Sequence, residues 1–378
     1  MARKGASRVV LVTGYPGFIG KQLVQTLLTD EPDSEFFLLV QDRFVEGAKR
    51  DVRACRPRGL ERVHILAGDI ADMHLGLSAV ELQRVTRAVT DIYHLAAISY
   101  LGVPEETMWR VNVQGTANLL EVAEQSHKLR RFSHVSTCFV SGDRQGVIAE
   151  DELDAGQRFR NPYERTKFEA ELKVRAAAER LPVSIFRPSI VVGDSRTGEI
   201  GRFDGPYFLG ILLVAAPVAV PIPLPSDGRV PLNMVPVDYV VGAIQRLSQA
   251  REAEGLTFHL VDPNPLSALR AYQLIAERAG TPAGRLLRST GRAPGWLGEL
   301  ASALLRVPGL EKITRTPRQA LDYLNTMAVY TSANTARLLQ GSELTCPPFH
   351  TYVDALISYV RTTYEKRRKA DLPEDPLV

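Results

Sequence analysis

Tyr163 and Lys167 stand four positions apart in the run Asn161-Pro162-Tyr163-Glu164-Arg165-Thr166-Lys167, so on a helix their side chains share one face. A phenol titrates near about pH 10 and exchanges protons at neutrality only where a nearby cation favours its anion. Lys167 is placed to be that cation. The helix has a start signal of its own: Asn161 can cap it, Pro162 suits the first turn, and Glu164 falls at the capping-box position. Thr137, in the strand-like run His134-Val135-Ser136-Thr137-Cys138, adds a hydroxyl able to hydrogen-bond a substrate oxygen beside the tyrosine. A tyrosine and a lysine at this spacing recur by chance in many helices, so the pair by itself is structural, and its neighbours must carry the chemistry.

The strongest neighbour is Thr13-Gly14-Tyr15-Pro16-Gly17-Phe18-Ile19-Gly20. It lies between the apolar run Val9–Val12 and a helical run from Lys21 to Leu28, with a second apolar run, Phe36–Val40, beyond. Glycines at this spacing on a strand-to-helix turn let backbone approach a pyrophosphate: Gly14 for the tight turn, Gly17 to keep the phosphates clear, Gly20 for close helix packing. Alone the spacing is weak, but its strand and helix context points to a dinucleotide held by the 14–19 turn. Cofactor choice falls at the end of the second strand, where an acidic residue would bind a free ribose hydroxyl and repel a 2′-phosphate. Gln41 is uncharged and Arg43 can pair with phosphate, so NADPH is favoured over NADH. A strand ending one residue later would make Asp42 the ribose partner and reverse the preference.

These residues must be positioned by alternating strands and helices. Strands are expected at Val9–Val12, Phe36–Val40, Val63–Ala67, Asp91–Leu95, Arg131–Val135 and Val183–Phe186, with helices at Gly17–Leu28, Leu77–Val89, Trp109–Gln125 and Tyr163–Arg180. That rhythm predicts an α/β fold, a doubly wound parallel sheet of Rossmann type spanning residues 1–194 and carrying the Thr, Tyr and Lys. From residue 195 proline and glycine interrupt the pattern, marking a smaller substrate lobe over 195–378. Residues 230–262 are expected to return to the sheet: Val235–Tyr239 feeds a helix over Val240–Ser248, and Thr257–Val261 is a late strand. The stretch 207–225 is almost wholly apolar, but Pro217, Pro221, Pro223 and Pro225 break any membrane helix, leaving buried core or the wall of an apolar cleft.

Composition narrows the classes. With 378 residues, 45% hydrophobic, the chain can bury a large core, and a formal net charge of +3 is too small to imply nucleic acid. The basic cluster Lys366–Lys369 reads as a solvated tail, with attraction to a membrane surface the lesser alternative. Cys55, Cys138 and Cys346 are far apart and without metal-ligand spacing, so neither a disulfide framework nor a metal site is expected, and no secretory-type apolar run opens the chain; the expected location is the cytoplasm. Cys138, His94 and His134 read as packed or hydrogen-bonded strand residues. Tyr323, Tyr330, Phe349 and Tyr352 read as core of the second lobe, with contact to a long apolar substrate the alternative. Nothing in the sequence fixes an oligomeric state.

Taken together, the chain resembles the extended short-chain dehydrogenase/reductase superfamily over nearly its whole length. The matching pieces are the glycine loop, Gly68-Asp69-Ile70, His94-Leu95-Ala96-Ala97, Asn112-Val113-Gln114-Gly115-Thr116, Ser136-Thr137, Tyr163 with Lys167, and Arg187-Pro188-Ser189. The resemblance implies that Tyr163 moves the proton, that Thr137 rather than Ser136 fixes the substrate carbonyl, and that Lys167 binds the nicotinamide ribose while lowering the tyrosine pKa. It further implies that Asp69 and Ile70 flank the adenine and that Leu95, Ala96, Ala97, Asn112, Pro188 and Ile190 line the cofactor. Within the superfamily the look is of the thioester reductase and fatty acyl-CoA reductase branch, through His134-Val135-Ser136-Thr137, Arg187–Gly193 and Val235–Val240. That implies hydride reduction of an apolar carbonyl or acyl thioester by a domain expected to stand alone. A hydroxysteroid or ketone dehydrogenase, or a nucleotide-sugar epimerase or dehydratase with bound NAD, remains the alternative.

Overall fold

Short, largely buried strands with helices on both faces suit a parallel sheet, and seven of them form one here. In the computed structural model, which describes residues 8–55, 59–100, 102–201, 222–224, 228–280, 286–288 and 327–370, the sheet contains β1 (Val9–Thr13), β2 (Glu35–Val40), β3 (Val63–Ala67), β4 (Asp91–His94), β5 (Arg131–Val135), β7 (Val183–Pro188) and β11 (Thr257–Leu260). Their order is β3-β2-β1-β4-β5-β7-β11. The chain winds outward from β1 to β3, then crosses back to β4 on the other side of β1. A ligand crevice belongs where the winding reverses, at the carboxyl ends of β1 and β4.

Helices cover both faces. α1 (Phe18–Asp30) and the helix Val237–Gln249 bury Leu23, Leu27, Val240 and Ile244 against Val10 and Val12. The opposite face packs Leu11 and Ile92 against Leu119 of α5 (Gly115–Glu124), Val174 of α6 (Pro162–Ala177) and Val85 of α3 (Ala79–Ala88). The alternation of Val10, Leu11 and Val12 between the two layers is the period-two signature of a strand buried on both sides. α2 (Val45–Cys55), which the sequence pattern did not predict, buries only Ala48 and Val52. The expected helix Trp109–Gln125 starts earlier, as α4 (Glu105–Trp109), and passes through a π-helical turn at Arg110–Gln114 before α5.

The later strands are short pairs outside the main sheet: β8 (Ile190–Val192) with β10 (Met234–Pro236), β9 (Ile222–Leu224) with β12 (Leu286–Arg288), and β6 (Gly146–Ile148) with β13 (Ala328–Tyr330). A second core joins Leu232 and Met234 to the helix Ala268–Arg278 and to Phe349, Tyr352, Val353 and Val360 of the helix Phe349–Ala370. The apolar stretch 207–225 lies outside the described residues except for β9, as does Tyr323. Among the described residues no helix is long and apolar enough to cross a membrane, and no group of His, Cys, Asp and Glu is arranged to hold a metal.

Candidate active site

The glycine loop folds as its spacing requires, though for a more local reason. Gly14 has φ +88°, and a Cβ there would meet the Ala96 nitrogen at 2.6 Å. A Cβ on either Gly17 or Gly20 would come within 2.7 Å of the Gly14 carbonyl oxygen, which also accepts the Gly17 amide at 2.9 Å. All three glycines therefore crowd around one peptide. α1 begins directly after Gly17 with no side-chain cap bond and no acid in its first turn, an uncapped helix start that favours an anion. The loop fits a dinucleotide pyrophosphate. Tyr15 contributes only backbone there, because its ring is buried in the core; Phe18 and Ile19 pack partly against the same core, and Pro16 is half-buried.

At the other end of the crevice β2 stops at Val40, leaving Gln41 first past the strand and Asp42 within a short 3-10 turn. Gln41 donates to the Asp69 carboxylate at 2.6 Å and accepts from the Arg43 guanidinium at 3.2 Å, so the three expected cofactor residues form one cluster. Asp69 also accepts the Ala71 amide at 2.9 Å. Ile70 turns its side chain into the core against Gly115, and its carbonyl accepts the Asn118 side-chain amide at 2.8 Å. Leu95 and Ala96 lie against the backbone of Gly14, whereas Ala97 is exposed. The Asn112 side chain is occupied by protein partners: its oxygen accepts the Ile98 amide at 2.7 Å, and its nitrogen donates to the Ile98 carbonyl and to Thr166, each at 3.0 Å.

Strand alternation separates the two hydroxyls at the end of β5. Ser136 faces α6 and donates to Glu171 at 2.7 Å, while the Thr137 hydroxyl lies beside the Tyr163 phenol. Asn161 caps α6 by accepting the Glu164 amide at 3.0 Å, with Pro162 in the first turn, and the Glu164 carboxylate accepts the Arg160 amide at 2.9 Å. Lys167 is buried and donates to the Val135 carbonyl at 2.8 Å. Burial pushes the Tyr163 phenol up to about 12, the Thr137 hydroxyl opposing and Glu164 adding to the rise. Burial lowers the Lys167 ammonium to about 8, with Glu171 opposing. The tyrosine pKa is thus raised rather than lowered, and Lys167 is not among the groups that act on it.

Cys138 is buried and donates its thiol to the Arg187 carbonyl at 3.1 Å, and burial holds that thiol far above the reactive range, as a packed cysteine should be. Pro188 is buried at the end of β7, and Ile190 lines a cavity of about 30 Å³ together with Phe139, Arg160, Ser189, Asn233 and Tyr330. Sequence reasoning named Ile190 and Tyr330 among these but missed Arg160, Ser189 and Asn233. Arg160 had a local signal, since it stands three residues before Tyr163; its guanidinium pairs with Glu164 at 3.1 Å. Ser189 donates to Asn233 at 2.8 Å across two distant segments, which no local pattern announces.

The glycine loop at the switch point of a doubly wound sheet, with Thr137, Tyr163 and Lys167 at its carboxyl edge, has the architecture of the extended short-chain dehydrogenase/reductase superfamily. The chain belongs to the male sterility protein family of NAD-binding domains, whose model matches residues 12–244. It is 30% identical to the terminal R domain from the myxalamid PKS-NRPS biosynthetic pathway, with TM-score 0.78, covering 98% of this chain and 94% of that one. It is also 28% identical over 289 residues to a carboxylic acid reductase of Mycobacterium tuberculosis, covering 68% of this chain and 24% of the relative. A fatty acyl-CoA reductase of Drosophila melanogaster, wat, is 26% identical over 272 residues, 62% of this chain and 53% of that protein. The chain thus spans about a quarter of the first of these two curated relatives and about half of the second.

Proposed function

We propose that the chain reduces an acyl thioester with an apolar acyl group to an aldehyde, using NADPH, with Tyr163 as proton donor. The observation that carries the reading is the placement of the Thr137 hydroxyl beside the Tyr163 phenol at the sheet's carboxyl edge, near an uncapped helix start suited to a pyrophosphate. The 14–19 turn, Gln41, Arg43 and Lys167 would hold the dinucleotide, which supplies the hydride. Thr137 and Tyr163 grip the substrate carbonyl oxygen. As the carbon becomes tetrahedral Tyr163 passes its proton to that oxygen, giving a hemithioacetal; the carbon–sulfur bond then breaks, the sulfur leaves as a thiol, and an aldehyde remains. A phenol pushed up to about 12 keeps its proton at neutral pH, which suits donation in the reductive direction. Arg43 beside the uncharged Gln41 offers a cation to a 2′-phosphate.

The test is loss of absorbance at 340 nm with NADPH and, separately, NADH against acyl-CoAs of graded length, aldehydes, steroids and ketones. Consumption of NADPH with a long-chain acyl thioester supports the proposal; turnover of ketones or steroids alone discards the thioester. Tightly bound NAD released on denaturation, with no net consumption, would favour a nucleotide-sugar epimerase. Tyr163→Phe should cut turnover by at least about 100-fold with NADPH still bound, and unchanged turnover removes Tyr163 from the mechanism.

A further inference from the structure

We propose that His94 is a positioning residue that couples the dinucleotide loop to the catalytic helix through a one-way chain of buried hydrogen bonds; the proposal rests on the oxidoreductase reading of the site. The direction of every link is forced. Thr116 must donate its single hydroxyl proton to the Asn112 carbonyl at 2.6 Å, so toward the His94 Nε2 at 2.8 Å it can only accept. Nε2 therefore carries the ring proton, and Nδ1 accepts from the Thr13 hydroxyl at 2.8 Å. Thr13, the last residue of β1 and the first of the glycine loop, in turn accepts the Ala96 amide at 3.3 Å. At the far end Asn112 donates to Thr166, and Thr166 donates to the carbonyl of Tyr163 at 3.2 Å.

Every side chain that forms these links is buried, and His94 is 1% exposed. Burial, with the Lys167 charge adding, lowers the His94 imidazole to about 3, so it stays neutral wherever the protein is folded and its tautomer does not switch. Thr13 and Thr166 sit at opposite ends, joined among the described hydrogen bonds only through His94, Thr116 and Asn112. Hydrogen bonds acting as a unit are lost together when any link is cut, whereas unconnected hydroxyls contribute independently.

Two readouts that need no substrate decide this. In protein labelled with 15N-histidine, His94 should show a protonated Nε2 and a bare Nδ1, unchanged between pH 8 and pH 5; the other tautomer or a doubly protonated ring overturns the proposal. NADPH affinity, measured by quenching of protein fluorescence, should fall about 5-fold in Thr13→Val, about 5-fold in Thr166→Val, and no further in the double variant. Losses that multiply to about 25-fold overturn the coupling. His94→Gln, with one acceptor and one donor, should keep affinity within about 2-fold, while His94→Leu loses about 10-fold. Equal losses in these two variants also overturn it. If no acyl thioester is reduced the proposed function fails, and these measurements still stand.

Discussion

His94 on β4 and His259 on β11 are both enclosed in the same sheet, yet their partners impose opposite tautomers. His94 must carry its proton on Nε2, as the Thr116 hydroxyl requires. His259 receives the Arg187 guanidinium on Nε2 at 3.2 Å, and arginine can only donate, so its proton sits on Nδ1 and meets the Thr331 carbonyl at 2.7 Å. The surroundings differ in kind. Around His94 every hydrogen-bond partner is a neutral hydroxyl, amide or carbonyl. Around His259 the network is ionic: Arg187 grips Glu171 with its shortest contact at 2.6 Å, Arg175 joins Glu171 at 3.1 Å, and Glu150 accepts the His259 amide at 2.9 Å and the Asn334 amide at 2.6 Å. The neutral network orients atoms within the Rossmann core. The ionic one fastens α6, β7 and β11 to the segment that begins the helix Ala333–Leu339.

The difference predicts unequal costs of damage. Burial alone would raise the Glu171 pKa, but Arg187 and Arg175 together with the Ser136 hydroxyl more than offset it and hold the carboxyl ionised below its ordinary range. Glu171→Gln leaves a fully buried guanidinium without its counter-ion and should cost about 3–5 kcal/mol in denaturant unfolding. Thr116→Val removes one neutral hydroxyl from the other network and should cost about 1 kcal/mol. Equal losses would break the contrast between the two networks.

Acid sharpens the comparison at a smaller scale. His94 and His259 are each lowered from 6.5 to about 3, both chiefly by burial, with Lys167 adding at the first and Arg187 at the second. Their folded values are depressed, so the unfolded chain binds more protons between these limits. The stability they permit is complete above about 6.5 and is lost as pH falls toward about 3. His134, lowered by burial in the same direction and with neither ring nitrogen bonded among the described residues, adds to the loss. Between pH 6 and pH 5, His94→Gln and His259→Gln should each flatten the fall in unfolding free energy by about 1.4 kcal/mol per pH unit. An unchanged slope in either variant would mean that its histidine is charged in the folded protein.

The sheet was legible because short strand-like runs recur between helical patterns: Val63–Ala67 and Arg131–Val135 fall where they were expected, although His64 interrupts the first and Arg131, Ser133 and His134 the second. α2 was not, because Glu46, Lys49, Arg50, Asp51 and Arg53 leave a stripe of only two buried residues. The π-helical turn was equally silent, since Arg110–Gln114 carries an ordinary helical pattern and the wider turn has no residue type that announces it. At the site, the spacing of Gly14, Gly17 and Gly20 and the start of α6 at Asn161 could be read locally. The two buried networks could not, because Thr13, His94, Thr116 and Thr166 meet only after β1, β4, α5 and α6 have packed, as do Ser189 and Asn233 beside the cavity.

The smallest effects separate two adjacent hydroxyls that belong to different regions. Ser136 serves the ionic network through Glu171, and Thr137 serves the site through Tyr163, because successive residues leaving β5 point to opposite faces. Ser136→Ala should therefore cost about 1.5 kcal/mol of stability, the loss of one hydrogen bond to a charged acceptor, and leave turnover within about 2-fold. Thr137→Val should do the reverse, with turnover falling about 10-fold or more and stability moving by about 1 kcal/mol or less. Chemical denaturation and the 340 nm assay on the same preparations distinguish the two. If Ser136→Ala instead lost turnover at unchanged stability, the carbonyl-holding hydroxyl would lie on the α6 side of β5, and Glu171 would become part of the chemistry rather than of the clamp that holds α6 to β7.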